Sequence, residues 1–252
     1  MRISFGLTSC KDDAPQANTL VGSLMKFIKT AKPISSHDYE IIWLMDAPEV
    51  KGQYTPELYS EVPEILPWFH PVNKEFAAHK NFLNSKCTGD WILQLDADEI
   101  INETFLFNFP AIIESNPEIE AYWLPRVNTV DGLTLEHVRK WNWILTTLSE
   151  FTAGKMIDPA SEEYRLLKEY NYIINEENGR VDYYQPIICW PDYQCRLYKN
   201  DPKIKWEGNV HEQLVGFEHY TRFPLDSMYA IEHHKNIARQ EQQNSLYETI
   251  KR

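Results

Sequence analysis

Asp96, Asp98 and Glu99 stand within four residues of one another at the end of the run Asp90-Trp-Ile-Leu-Gln-Leu-Asp-Ala-Asp-Glu99. Three carboxylates so close repel one another unless a cation or a network of donors separates them. The economical solution is a divalent metal held by oxygen ligands and bridging to an anionic substrate. An Asp-x-Asp pair in a surface turn is usually only solvated, so the elements around it decide how it is read.

Those elements favour a site. Trp91, Ile92, Leu93 and Leu95 form a nearly continuous apolar run, as expected for a strand buried on both faces of a mainly parallel sheet. In open α/β sheets ligands sit outside the carboxyl ends of the strands, which is where the acidic residues fall. Gly89 is expected to stop a preceding helix, capped at Asn73, with Phe76, Lys80, Leu83 and Cys87 on one face. Upstream, Arg2 to Thr8 predicts a first strand, and Leu20, Val21, Leu24, Phe27 and Ile28 predict a helix ending near Pro33. Tyr39 to Met45 predicts a second strand ending at Asp46, and Ile65 to Phe69 a short one. The strand, loop and helix from Arg2 to Pro33 are the opening of a nucleotide-binding α/β unit.

Composition narrows the class. The 252 residues suit one large α/β domain better than two small ones. A net charge of -12 disfavours a broad phosphate-tracking face and general nucleic-acid affinity. The four cysteines are widely spaced, form no Cys-x-x-Cys pair and follow no signal peptide, so reduced thiols and a cytoplasmic protein are expected. No apolar run approaches the roughly 20 residues that cross a bilayer. The absence of Gly-x-Gly-x-x-Gly, a Walker loop and Gly-x-Ser-x-Gly argues against dinucleotide enzymes, P-loop NTPases and serine hydrolases.

Thr88-Gly-Asp-Trp-Ile-Leu-Gln-Leu-Asp-Ala-Asp-Glu99 resembles the Asp-x-Asp segment of family 2 glycosyltransferases, nucleotide-sugar enzymes of the GT-A fold. A second segment strengthens the likeness. Trp190-Pro-Asp-Tyr-Gln-Cys-Arg-Leu-Tyr-Lys-Asn200 and Ile204-Lys-Trp-Glu-Gly-Asn-Val-His-Glu-Gln213 are similar to that family's Arg-Leu-Tyr strand and Trp-x-Gly-x-Val-His-Glu loop. The resemblance implies a single domain over 1–252, with a Rossmann-like, mixed, mainly parallel sheet flanked by helices. Residues 1–127 would bind the nucleotide sugar, 128–235 would form the acceptor and catalytic half, and 236–252 a C-terminal helix.

Residue by residue, the resemblance makes Asp98 a metal ligand and puts Asp96 near the donor ribose. Thr8, Asp46 and Lys80 join the donor site, Asp46 beside the base and Lys80 near the pyrophosphate. Asp46-Ala-Pro-Glu49 departs from the family's Asp-Asp-Gly-Ser pattern. Glu212 falls on the catalytic base. His233, or alternatively His234, falls on a further ligand that suits manganese, so Mn2+ or Mg2+ is the expected cofactor. Trp190, Arg196, Trp206 and His211 are candidate acceptor or phosphate contacts.

The implied activity is metal-dependent, inverting transfer of a sugar from a nucleotide diphosphate sugar, with UDP favoured, to an acceptor hydroxyl. The acceptor class stays open among glycan, lipid-linked glycan, protein and hydroxymethylated DNA base. Two alternatives remain: a catalytically silent glycan-binding module of the same fold, and a sugar-phosphate nucleotidyltransferase, whose Gly-rich opening loop Gly6-Leu-Thr-Ser-Cys-Lys11 does not supply. Further along, helices are expected at Glu103 to Ser115, through Val138, Trp141, Leu145 and Leu148, and at Glu162 to Tyr170. A strand is expected near Ile119 to Val127, two more are joined by Asn200-Asp-Pro202, and His233-His234 is expected at a strand end. Trp141, Trp143, Tyr183 and Tyr184 join Trp190 as aromatics that can stack on a flat acceptor.

Overall fold

The computed structural model describes residues 1–47, 65, 67–146, 173–174, 181–182, 187–209 and 211–250. In chain order the elements are β1 (Arg2–Cys10), α1 (Ala14–Ala31), β2 (Asp38–Asp46), β3 (Trp68–Phe69), α2 (Phe76–Asn84), β4 (Trp91–Asp96), β5 (Glu99–Ile101) and α3 (Glu103–Ser115). There follow β6 (Ala121–Leu124), β7 (Arg126–Asp131), α4 (Leu135–Lys140), β8 (Ile173–Ile174), β9 (Val181–Asp182), β10 (Ile187–Ile188), β11 (Gln194–Lys199) and β12 (Lys205–Glu207). The chain ends with β13 (Gln213–Val215), β14 (Tyr220–Arg222), β15 (Ile231–Asn236) and α5 (Ile237–Ile250). No helix among the described residues is long and apolar enough to cross a membrane.

Two compact units emerge. The first comprises Met1–Trp123, Cys195–Thr221 and Tyr247–Arg252, and the second Leu124–Gln194 and Arg222–Leu246. Unit 1 is built on a sheet of order β14-β6-β11-β4-β1-β2-β3. Strands β4, β1, β2 and β3 run parallel, and β11 joins β4 antiparallel. The mixed α/β sheet is mainly parallel and carries helices packed on it, as expected. Ile3, Phe5 and Leu7 of β1, and Ile92, Leu93 and Leu95 of β4, are completely buried. Helix α1 turns Ala17, Leu20, Val21, Leu24, Phe27 and Ala31 inward at the 3.6-residue period. Phe27 meets Phe5 and Tyr39 edge-on with centroids 6.0 and 5.2 Å apart, and burial of one such ring is worth about 1.5–3 kcal/mol.

Several local expectations are corrected. Asn73 does not cap α2: it and Lys74 both have left-handed backbone (φ 46° and 68°), whereas a cap is extended, and the helix starts after Glu75. Gly89 does not end that helix, which stops at Asn84. Gly89 is needed because a Cβ there would lie 2.7 Å from both the backbone nitrogen and the Oγ of Ser4. The expected strand at Ile119 to Val127 is two strands separated by Pro125, which lacks the ladder donor. The helix expected to run on past Trp141 ends at Lys140. Asn142 (φ 52°) is left-handed, and Trp143 N–H bonds to the Val138 carbonyl, a Schellman stop.

Unit 2 contains strands in the order β10-β7-β15, with β15 parallel and β10 antiparallel to β7. His233 is in mid-strand rather than at a strand end. The expected helix at Glu162 to Tyr170, Leu148, Tyr183 and Tyr184 lie outside the described residues.

Candidate active site

In unit 1 the strand order reverses at β1, with β2 on one side and β4 on the other, so the carboxyl ends of these strands form the crevice where such sheets bind ligands. Register puts Thr8 opposite Asp96, and the Thr8 hydroxyl donates to Asp96 Oδ1 at 2.6 Å. Asp46, opposite Cys10, accepts the Val72 amide at 2.8 Å. The sheet thus brings Thr8, Asp46 and Asp96 to one edge.

A two-residue turn, Ala97-Asp98, connects β4 to β5 and leaves Asp98 half-buried. Around it the other two carboxylates are tied down. Arg196 on β11 donates from Nη2 to Asp96 Oδ2 and to Glu99 Oε1, each at 2.5 Å, and Glu99 Oε2 accepts the Asp96 amide at 3.0 Å. Glu99 and Arg196 are buried. Burial opposes ionisation of Asp96, but Arg196, Lys80 and the Thr8 hydroxyl together hold its carboxyl well below the usual range. Burial likewise works against the Arg196 cation, and the two carboxylates reverse that and push its pKa up. The repulsion that pointed to a metal is therefore relieved, for two of the three carboxylates, by a guanidinium. Arg196, expected to meet an acceptor or phosphate, has its Nη2 committed to this internal role.

Glu212 arrives from another direction. Strands β12 and β13 pair antiparallel, Glu207 opposite Gln213, and the hairpin loop between them turns at Gly208 (φ 102°) and at His211 (φ 58°). His211 is exposed there in a conformation unusual for a side-chain-bearing residue. Helix α2 is clamped to β12 by Asn81, whose amide donates to the Trp206 carbonyl at 2.8 Å and accepts the Trp206 N–H at 2.9 Å. The clamp sets the adjacent Lys80 4.5 Å over the Trp206 ring, with its ammonium 2.5 Å from Glu212 Oε1. Trp206, expected as an acceptor contact, is buried, and its indole N–H reaches Tyr198 Oη at 3.3 Å. Lys80 thus serves two carboxylates, Glu212 by contact and Asp96 through its field.

Unit 2 holds the remaining expected residues. Trp190 is half-buried and donates its N–H to Thr146 Oγ1 at 3.1 Å. The alternation along β15 buries His233 and exposes His234. His233 Nδ1 lies 2.7 Å from Asn128 Oδ1, and Asn128 Nδ2 donates to Asp192 Oδ2 at 2.7 Å. Arg126 donates to the same oxygen from Nε at 2.9 Å and Nη2 at 2.7 Å. Burial opposes the Asp192 charge, yet Arg126 and the donors from Asn128 and Gln194 keep its pKa below the ordinary carboxylate value. Among the described residues, no three His, Cys, Asp or Glu side chains are grouped to hold a metal.

Sequence reasoning gave no role to Asn81, Asn128, Arg126 or Asp192. Asn81 follows Lys80 directly, and Asp192 follows the quoted Trp190-Pro191, but only tertiary contacts show what they hold.

No family model matches the chain, and no curated protein matches its sequence. Among solved structures it is similar to the 1–349 fragment of S. aureus TarS, at 14% identity over 93% of this chain and 60% of that chain, with a TM-score of 0.47. The same fragment in complex with UDP-GlcNAc gives 14% identity over 93% and 59%, with a TM-score of 0.48. Its complex with UDP gives 14% identity over 93% and 60%, also with a TM-score of 0.48. The chain spans about three-fifths of the length of these structures.

Proposed function

We propose that this chain is a glycosyltransferase of the GT-A type, moving a sugar from a nucleotide diphosphate sugar to an acceptor hydroxyl with inversion. One observation carries the reading: Lys80 stands in contact with Glu212 and within electrostatic reach of Asp96, so a general-base candidate and the acidic strand end share one fixed cation. A hydroxyl is a poor nucleophile. Glu212 takes its proton while the acceptor oxygen bonds to the anomeric carbon, and the bond to the diphosphate breaks with its electron pair leaving on the diphosphate oxygen. Lys80 supplies positive charge where that leaving group gathers negative charge. Thr8 and Asp96 line the donor side.

Asp98 is the proposed protein ligand of Mn2+ or Mg2+, and a hard carboxylate in a strand-end turn suits either ion. Mg2+ keeps several waters and is bound through one or two carboxylates plus substrate phosphates, so a single protein carboxylate is enough to anchor it. When bound, the cation would stabilise the departing diphosphate.

Calorimetric titration of UDP, GDP, CDP and dTDP, with and without Mn2+, tests the donor reading, UDP being favoured by the family resemblance. Glu212→Gln should keep nucleotide binding and lose transfer, and Asp98→Asn should lose the metal-dependent part of binding. Full transfer by Glu212→Gln would remove Glu212 as the base, and no binding of any nucleotide would favour a silent glycan-binding module.

A further inference from the structure

Helix α2 is tied to β11, β12 and the hairpin loop at three levels. Its first amide, Phe76 N–H, donates to the Asn209 carbonyl in that loop at 3.4 Å, Asn81 grips the Trp206 backbone at its middle, and Asn84 Oδ1 accepts the Tyr198 hydroxyl at 2.8 Å at its end. The helix backbone is thereby fixed against the loop that bears Glu212. What remains free to swing is the Lys80 side chain, an ammonium with rotatable donors on a flexible four-carbon stem.

That ammonium has two claimants. Glu212 Oε1 holds it at 2.5 Å, and its field acts on Asp96 at the strand end where the donor reading puts the nucleotide. The Trp206 ring, with its centroid 4.5 Å away, gives the cation a favourable face while it changes partner. A diphosphate carries more negative charge than one carboxylate and so competes for the ammonium. The competition bears on catalysis, because a carboxylate lone pair that receives an ammonium N–H is not open to the proton of a hydroxyl.

We propose that Lys80 is a latch on Glu212 that the donor releases: without nucleotide the ammonium is held by Glu212, and the diphosphate of a bound donor draws it away and uncovers the base. The latch, which rests on the glycosyltransferase reading, ties the readiness of the base to the presence of donor. Such coupling is reciprocal, so a pair that the donor loosens must weaken donor binding by the same factor. Calorimetric titration of the full chain at constant Mn2+ measures this, with UDP or whichever of GDP, CDP and dTDP the parent binds. Glu212→Gln should bind the nucleotide about tenfold more tightly than the parent, and Lys80→Met more weakly. In a Lys80→Met background Glu212→Gln should change the affinity by less than about twofold, which separates competition for the ammonium from simple removal of a negative charge near the phosphates. Lys80→Gln, whose amide still donates to Glu212, takes the place of Lys80→Met if that variant does not fold. Nucleotide binding by the parent with equal affinity in Glu212→Gln, or a gain that persists without Lys80, overturns the latch and leaves the donor reading standing. No nucleotide bound by the parent removes the donor reading and the latch with it.

Discussion

The Lys80 ammonium lies 2.5 Å from Glu212 Oε1, and this contact joins helix α2 to the hairpin loop after β12. Only about an eighth of each side chain is exposed, 12% and 13%, so neither charge is well served by water. The neighbouring Asn81 clamp on Trp206 holds the two elements in this register.

Breaking the pair should be costly. Lys80→Met leaves Glu212 charged in a mostly buried place, and loss of one member of a buried pair costs about 3–5 kcal/mol. The exposed remainder of the pair puts Lys80→Met at the lower end. Lys80→Met with Glu212→Gln should regain about 1–3 kcal/mol over the sum of the single losses. A double-mutant cycle by denaturant unfolding measures this, and additive single effects would mean the pair does not form in solution.

Arg196→Met should be more severe. It strips the common partner from Asp96 and Glu99, and Glu99 is fully buried. A loss of about 3–5 kcal/mol is expected, and less in a Glu99→Gln background, where the fully buried carboxylate is gone and only the part-exposed Asp96 is left without its guanidinium. Urea midpoints of the single and double variants decide it. Equal losses in both backgrounds would show that Arg196 acts through packing alone.

His79 should make stability depend on pH. Burial, with the charges of His70 and Lys80 and against the pull of Asp46, pushes its pKa down from 6.5 to about 4. Between those values the unfolded chain holds a proton that the folded chain does not. This contribution is therefore complete above about pH 6.5 and is lost as pH falls towards 4, with a full extent of about 3 kcal/mol. His79→Leu should flatten the profile in that window. Unfolding free energies at pH 7 and 4.5 provide the check, and an identical fall for variant and parent would exclude His79 as the cause.

Much of unit 1 was legible in the residue order. The apolar run at Trp91 to Leu95, the helical spacing from Leu20 to Ile28 and the span Glu103 to Ser115 all formed as read, because each is a local pattern whose period matches its element. Punctuation was less reliable. Asn73 and Gly89 are turn-forming residues, but one occupies a left-handed turn and the other yields space to Ser4, which depends on what lies beside them rather than on their neighbours in sequence.

The same division runs through the candidate site. By itself the sequence determined that Asp96, Asp98 and Glu99 share a strand end and that Glu212 sits in a Gly-hinged loop, since short spacing along one chain fixes those proximities. Only the tertiary structure decided which charges answer one another. Arg196 reaches the acidic turn because β11 lies antiparallel beside β4, and Lys80 reaches Glu212 because Asn81 holds α2 to β12. Charge pairing acts over a few ångströms in space, and strand order and helix docking set those distances between residues far apart in the chain.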